Sequence, residues 1–593
     1  MSNKQLKRIE THCDFCVVGG GLAGVFAAIS AARRGIKTVL VQDRPMLGGN
    51  CSSEIRMWIR GATQRYRKET GLISEFEQRN IYYNPDLNAS MSDATLYAMA
   101  EENPLIDMYL NCSVMDMKKS KDKIISVTGW QTTTYTFVTV KARIFADCSG
   151  DSILAPLSGA RYRVGRESKD EFGEELAQPV GDKNTMGLSV ILSARETAAP
   201  VKFTPPPFAN IYENDEDFEK AVSKSTGRFI RSHNIKNNDN LWWIELGGNM
   251  DSIHDADKVR RELLKCVYGV WDHIKNRGDH GMENFALDWV GFLPGKRESG
   301  RYEGDYMLTQ HDLQNGVGFY DEVAYGGWPM DDHDPAGIAS NAVSAARQIF
   351  LQEVYAIPYR CLYSLNVSNL MFAGRNISVS HVALSSSRVM GTCALLGQAV
   401  GEAAALALKH NTTPRGVLEY IGVLQQRLLE GGVYLPHVAM KYGNLVSQAR
   451  VNLSDDQKSA LFSGIERPVK CYGENDISVN EGESIIFEWN EVRHIDSVRI
   501  VFDEGWDRDW VYGKIKKFAA RLHRFCNDKP VEVYPGMIKS FAVFADGKKV
   551  FEDDDNYLAL RKIPLNLEAK KLEIKWLKMR SGKTARIFAV DLR

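Results

Sequence analysis

The sequence predicts a multi-domain α/β chain: a doubly wound parallel sheet built from two distant stretches, an insert between them, and an all-β unit at the end. Three observations predict it. A short apolar strand, a glycine turn and an alanine-rich helix lie near the start; a strand, a glycine and a second small-residue helix recur between positions 370 and 408; and from position 446 apolar and polar residues alternate with the period of strands. With 593 residues, 44% hydrophobic and 25% charged, the chain can bury several cores. Its 74 basic and 75 acidic residues leave a net charge of −1, with no excess of basic residues to favour a nucleic acid or an anionic membrane as partner. The opening "MSNKQLKRIETHCDF" has no apolar run of signal-peptide length, so no membrane span and a cytoplasmic location are expected. Ten cysteines without framework spacing suit a reduced compartment. Cys13 and Cys16 lack a second pair to complete a zinc site, so they read as core or strand-edge residues, and no metal is expected.

The first strand is Phe15 to Val18, and Gly19, Gly21 and Gly24 follow as GxGxxG at the strand-to-helix turn of a βαβ unit. In such a Rossmann-like unit Gly19 permits the tight turn, Gly21 lets a diphosphate approach the backbone, and Gly24 lets helix and strand pack closely. Leu22 and Ala23 open the helix, whose first N–H groups and positive dipole end favour an anion. The second strand, Lys37 to Val41, should end in an acid that accepts from ribose hydroxyls; the sequence has Gln42 there and Asp43 one step later. The glutamine carbonyl is still an acceptor, so Gln42 is expected to hold the ribose, and a glutamate there to keep the cofactor. Asp43 should face the other side of the strand unless the turn at Arg44-Pro45 redirects it.

The next stretch, "RPMLGGNCSSE", resembles flavoproteins in which an Arg-Pro-x-x-Gly-Gly element wraps the FAD diphosphate and approaches the flavin. With "GGNCSSEIRMWIRGA" it is similar to the large FAD-dependent oxidoreductases of bacterial genomes. The resemblance implies FAD as cofactor, with Arg44, Gly48, Gly49 and Asn50 beside it. Cys51 has no second cysteine five positions on, where Arg56 stands, so a redox-active disulfide is not expected. The same resemblance implies that "RIFADCSGD" brings Asp147, Ser149 and Gly150 to the cofactor, and that Val114, in a β-meander before it, meets the adenine through its backbone. The fullest resemblance is "NLMFAGRNISVSHVALSSSRVMGTCALLGQAVG". It reads as a strand Leu370 to Ala373, a turn at Gly374, a loop Arg375 to Ser387 and a long helix from Arg388. Ser385 to Ser387 are its cap candidates, and Gly391, Ala394, Gly397 and Gly401 allow close packing. The resemblance points that helix N-terminus at the flavin pyrimidine and makes Gly374, Arg375, Arg388 and Gly391 cofactor neighbours.

The expected domains are 1–163 and 337–445 as the two parts of the FAD domain, 164–336 as an inserted substrate domain, and 446–593 as a β-sandwich. The insert should contain an amphipathic helix, about Asp255 to Lys275, with Val259, Leu263, Val267, Val270 and Ile274 on one face. Flavin chemistry on an alcohol or amine needs a base. His381 is the first candidate by position, followed by His333 and His311, with Arg297 and Arg301 to hold a carboxylate or an oxyanion. Glu298, Trp328 and Asp332 complete the polar and aromatic set expected over the flavin, although an ion pair tying loop to core is the plainer role for Arg297 and Glu298. No second GxGxxG is present, so electrons should pass directly between flavin and a small-molecule substrate; electron acceptor and oligomeric state are not legible. The C-terminal strands loosely resemble galactose-binding-like jelly rolls, and Trp489, Trp506 and Trp510 are possible sugar platforms, with core packing the other role open to them. The expected function is FAD-dependent hydride transfer to or from a small polar substrate, first a sugar or glycoside. Two alternatives stand beside it: fumarate-reductase-like reduction of an activated double bond, and a non-catalytic carbohydrate-binding or scaffold protein with a vestigial nucleotide fold.

Overall fold

The computed structural model describes residues 6–218, 240–277, 280–340, 346–506 and 531–593, with the side chains of 240–243 excepted. Five parallel strands form the central sheet, in the order Leu370–Phe372, Ile144–Asp147, Phe15–Val18, Thr38–Val41 and Ile106–Tyr109. The edge strand therefore comes from some 220 positions beyond its neighbour. The meander Cys112–Ser120, Lys123–Gln131 and Thr136–Lys141 forms a second sheet, closed in parallel by Lys7–His12.

The fingerprint helix Leu22–Arg33 and the long helix Met390–Lys409 lie against each other backbone to backbone. A Cβ on Gly397 would stand 2.0 Å from the Ala23 carbonyl oxygen, and one on Gly401 2.3 Å from that of Ala27. Gly24 is equally constrained, its Cβ position lying 1.8 Å from the Gly19 oxygen. The long helix is apolar and long enough to cross a membrane, and its apolar stretch is wholly buried inside the protein.

The expected loop from Arg375 to Ser387 is partly helical. Ser380 caps a separate helix, His381–Ser387, by accepting from the Ala383 N–H at 3.1 Å, and the long helix begins afresh at Met390. Ser385 and Ser386 donate to carbonyls of Val382 and Trp328 and cap nothing. The break at Arg388 and Val389 swings one chain segment into two helices of different direction.

Within the insert, Leu188–Glu196 pairs antiparallel with Asn240–Leu246, Phe285–Val290 and Gly295–Lys296. The amphipathic helix runs Ala256–Asp272 and continues as a π-turn His273–Arg277, with all five predicted apolar residues buried. This core is confined to residues between Leu188 and Phe285; the aromatic residues Tyr302, Tyr325, Tyr355, Tyr359 and Tyr363 pack into the core of the parallel-sheet domain instead.

At the C-terminus the strands join one antiparallel sheet, in which Ser484–Phe502 and Leu560–Met579 run the full length and bend at bulges. The separate facing layer of a sandwich is not found among the described residues. Asp546 and Gly547 form the expected tight turn, with φ of 46° and 82°. Trp489 is buried and donates to the Leu445 carbonyl at 3.0 Å; Trp506 is buried beside Tyr66 and Phe588. Neither offers a face to a sugar, and Trp510 lies outside the described residues.

The C-terminal unit docks on the parallel-sheet domain through Arg467, 2% exposed. Its guanidinium donates to the carbonyls of Tyr66 and Lys68 and to Thr70 Oγ1 at 3.1–3.2 Å, and stacks 4.0 Å from the Tyr434 ring.

Gly397→Ala is expected to cost about 1–3 kcal/mol of stability through overpacking. Gly422→Ala, in a helix where the added methyl meets nothing within 4 Å, should stabilise by about 0.5–1 kcal/mol. Denaturant unfolding of the two variants against the parent checks both signs.

Candidate active site

The two glycine elements close on each other. Gly48 N donates to the Gly20 carbonyl at 2.8 Å, and a Cβ on Gly49 would lie 3.2 Å from Gly21 Cα. A Cβ on Gly21, in contrast, would meet nothing within 4 Å, and Gly21 caps the fingerprint helix without any side-chain bond. The helix N-terminus, with Leu22 and Ala23, thus faces open space bounded by glycine backbone, the shape a diphosphate needs.

Gln42 is in the predicted place but does another job. Its Oε1 accepts from Gly20 N at 2.7 Å and its Nε2 donates to the Met46 carbonyl at 3.1 Å. Buried, with both amide atoms taken by the chain, it fastens the first glycine loop to the second and is not placed to hold a ribose. Asp43 lies beyond the strand end with its side chain 54% exposed beside Arg44, so it is the carboxylate that can reach a hydroxyl. Asn111 N and Cys112 N donate to the Arg44 and Gln42 carbonyls, which brings the strand carrying Val114 against this turn.

Asp147 is likewise not a free ligand. Buried, it accepts from Ser149 N and Oγ, from Leu154 N and from Tyr302 Oη. Ser149 Oγ is spent on Asp147 while it also accepts from Asp151 N and Ile153 N. Both shape the turn at Gly150. Arg375, following Gly374, donates to the Gly150 carbonyl and to Asp151 Oδ1 at 2.6 Å. From Asp151 the contacts continue to Lys296 Nζ at 2.6 Å and Ser299 Oγ at 2.9 Å, and Asn50 Nδ2 reaches the Lys296 carbonyl. Arg375 Nε and Arg388 Nε are buried here with no hydrogen-bond partner among the described residues. Gly391, on the first turn of the long helix, gives its N–H to the Arg60 carbonyl.

The strip from Lys296 to Arg301 leads into a buried ionic lattice. Arg297 Nη2 lies 3.3 Å from Glu245, which binds His333 Nδ1 at 2.7 Å; His333 Nε2 lies 3.2 Å from Asp331, and Asp331 meets Arg388. A second branch runs from Glu167 through Arg301 to Glu298, His381 and Asp332, with His381 held at 3.0 Å by Glu298 and 3.1 Å by Asp332. Three arginines and two histidines face five carboxylates, so the lattice is neutral when both rings are protonated. Burial alone would push the His381 ring down, but Glu298 and Asp332 outweigh it and raise its pKa to about 10. His333 moves the same way against its burial, through Glu245 and Asp331. His381 is therefore an imidazolium at neutral pH and not the proton acceptor that its position suggested, while both nitrogens of the His333 ring face carboxylates. Asp332, held below the usual carboxylate range by His381 despite burial, is the lattice carboxylate with real access, its side chain 35% exposed.

His311 stands apart, on the helix Gln310–Asn315, with its ring against the Gly173 carbonyl. The sequence reading named Trp328 but missed its half-buried companions Trp58, Trp289, Arg56 and Arg60. Arg56 lies 4.1 Å over Trp289, and Arg60 lies 5.2 Å from Trp58 and 5.9 Å from Trp328. Three of the four missed residues stand in the cluster "RMWIR". Cys51 gives its thiol to the Gly48 carbonyl, and burial raises its pKa to about 12, so it is no thiolate.

The donor set fits a dinucleotide such as FAD: a glycine cradle, a helix N-terminus, and two partnerless guanidinium N–H groups on the far side. Residues 14–428 match the family described as FAD dependent oxidoreductase. A stretch of 38 residues is 53% identical to mitochondrial dihydrolipoyl dehydrogenase of Schizosaccharomyces pombe, covering 6% of this chain and 7% of that protein. A geranylgeranyl bacteriochlorophyll reductase-like protein from Thermoplasma acidophilum is 13% identical in sequence, with a TM-score of 0.31 over 71% of this chain and 86% of its own. E. coli quinol fumarate reductase FrdA is 11% identical, with a TM-score of 0.29 over 71% and 75%.

Gly21→Val should leave the unfolding midpoint of the flavin-stripped protein unchanged and abolish flavin retention. Gln42→Glu, which removes the donor to Met46, should lower stability by about 1–3 kcal/mol, and flavin retention should fall with it. Flavin absorbance per chain and denaturant curves distinguish the two. Because the folded pKa of His381 is raised above 6.5, its contribution is full below that pH and is lost as pH rises through about 10. Stability should fall across that window, and more steeply in the parent than in His381→Gln.

Proposed function

The chain belongs to the FAD dependent oxidoreductase family, with FAD as its cofactor, and from that premise we propose that it moves a hydride between flavin and a small polar substrate bound against the ionic lattice. FAD, when bound, supplies the two-electron acceptor or donor. Gly21, Leu22, Ala23 and Gly24 hold its diphosphate, Asp43 takes the ribose in place of Gln42, and Val114 lies toward the adenine. Gly48, Gly49, Asn50, Gly150 and Arg375 line the path to the flavin end, where Arg388 and Gly391 meet it.

The observation that carries the reading is that one backbone strip joins the cofactor turn to the lattice: Lys296 and Ser299 bind Asp151, while Glu298, between them, holds His381, which in turn holds Asp332. Asp332 accepts the proton of a substrate hydroxyl or amine, and the His381 imidazolium steadies the charge and geometry of that carboxylate. Arg388 faces the developing negative charge on the substrate. Trp58, Trp289 and Trp328 give the substrate an apolar face beside Arg56 and Arg60. A flat polyhydroxylated molecule, a sugar or glycoside, suits that wall, whereas the buried Trp489 and Trp506 lend the sugar reading nothing.

A second reading is favoured by one observation: His381 holds its proton at neutral pH, and His333 is shifted in the same direction. Such a lattice donates a proton as readily as it stabilises an oxyanion, which suits reduction of an activated double bond.

Anaerobic mixing with sugars, hydroxy acids and amines should bleach the flavin for one of these classes. No bleaching, together with reoxidation of the reduced protein by enoates, would overturn the oxidative reading in favour of the reductive one. Asp332→Asn should slow bleaching about 10²–10⁴-fold at unchanged flavin content; a rate within tenfold of the parent removes Asp332 from the chemistry.

A further inference from the structure

Far from any contact with the flavin residues, the insert brings together three side chains that sequence order keeps apart. His273 sits in the π-turn that ends the helix Ala256–Asp272, His280 follows seven residues later, and Asp215 opens a short 3₁₀ turn, Asp215–Asp217. His273 Nε2 lies 2.9 Å and His280 Nε2 3.1 Å from the same oxygen, Asp215 Oδ1. The two rings stand at 69° with centroids 5.3 Å apart, so they converge on one point and do not stack. His273 is 2% exposed, His280 10% and Asp215 23%, a site closed on one side and open on the other.

The other nitrogen of His273 settles what its Nε2 can do. Nδ1 lies 2.8 Å from the Tyr212 carbonyl, which only accepts, so Nδ1 carries the ring proton. In the neutral ring Nε2 then presents a lone pair to a carboxylate oxygen, an arrangement that repels unless a cation lies between them. A backbone carbonyl on the second nitrogen is the usual way a metal-binding histidine is oriented. Zinc bonds of about 2.0–2.2 Å to nitrogen and oxygen place tetrahedral ligand atoms about 3.3 Å apart, a few tenths of an ångström beyond the separations seen.

Neighbouring charges among the described residues have partners of their own. Glu213 pairs with Arg277 at 2.8 Å, and Asp272 pairs with Arg277 and Asn276. Asp217 accepts from Glu213 N and Asn214 N, and Phe218 covers one flank of the His273 ring at 5.1 Å.

We propose that Asp215, His273 and His280 bind a divalent ion of the zinc type, which staples the Asp215 turn to the end of the amphipathic helix and so closes the core of the insert. Two nitrogens and one carboxylate oxygen suit zinc or cobalt over magnesium or calcium. The site is structural, since its partners belong to the insert core and not to the lattice beside the flavin.

The test uses the full-length, flavin-loaded protein after chelator treatment. Calorimetric titration with zinc should show one ion per chain and a higher unfolding temperature, and cobalt should add visible absorption at wavelengths beyond the flavin bands. His280→Gln should weaken zinc at least about tenfold, and His273→Asn with His280→Gln should abolish both uptake and the thermal gain while flavin absorbance is kept. Absence of zinc uptake by the parent, with no cobalt band, overturns the site and leaves two histidines sharing one carboxylate through hydrogen bonds alone. Unchanged uptake in the double variant overturns it equally. Should the double variant not fold, the cobalt spectrum of the parent decides.

Discussion

The fold depends on two helices touching through their backbones. Gly24 sets the fingerprint helix on the first strand, and Gly397 and Gly401 set the long helix on the fingerprint helix at distances no side chain permits. That contact fixes the N-terminus of one helix relative to the other. It also explains why the halves of the site are so far apart in sequence: the second helix is useful only where it can lie in the groove of the first.

Around that rigid pair the protein spends charge freely but in balance. Of ten ionisable groups from Glu167 to Arg388, all but Asp332 are almost fully removed from water, and each carboxylate among them has a cationic neighbour. Burying ions costs several kcal/mol each unless they are paired, so such a lattice tolerates little rearrangement. Its rigidity places one carboxylate, Asp332, at the accessible edge. Exposure thus sets Asp332 apart, while the buried members determine its charge.

The residue pattern was informative wherever a physical requirement is local. Gly24, Gly397 and Gly401 could be read from spacing, since close helix packing demands small residues at fixed intervals, and the five apolar positions of the helix Ala256–Asp272 could be read from period alone. It failed where the answer depends on what arrives from elsewhere. Gln42 was located correctly, yet its partners, Gly20 N and Met46 O, depend on how the loop folds back. His381 read as a base because Glu298 and Asp332, 83 and 49 positions away, are not visible from its neighbours. Ser380 went unnoticed as a cap because the helix it starts is buried on all sides and shows no amphipathic period. The tryptophans of the C-terminal sheet illustrate the same limit, since aromatic composition does not tell a platform from a core.

Arg467 gives the last segment a part in the order of events during synthesis. Its five-donor head closes over carbonyls near Tyr66 and Lys68, some 400 positions earlier, and the edge strand of the parallel sheet itself waits for Leu370. During synthesis one edge of the parallel sheet therefore stays unpaired until residue 370 has emerged, and the backbone around Tyr66 stays uncovered until residue 467 has. Long-range closure of this kind is slow and exposes strand edges to the wrong partners. The order in which the chain emerges is thus not the order in which its first domain can be completed.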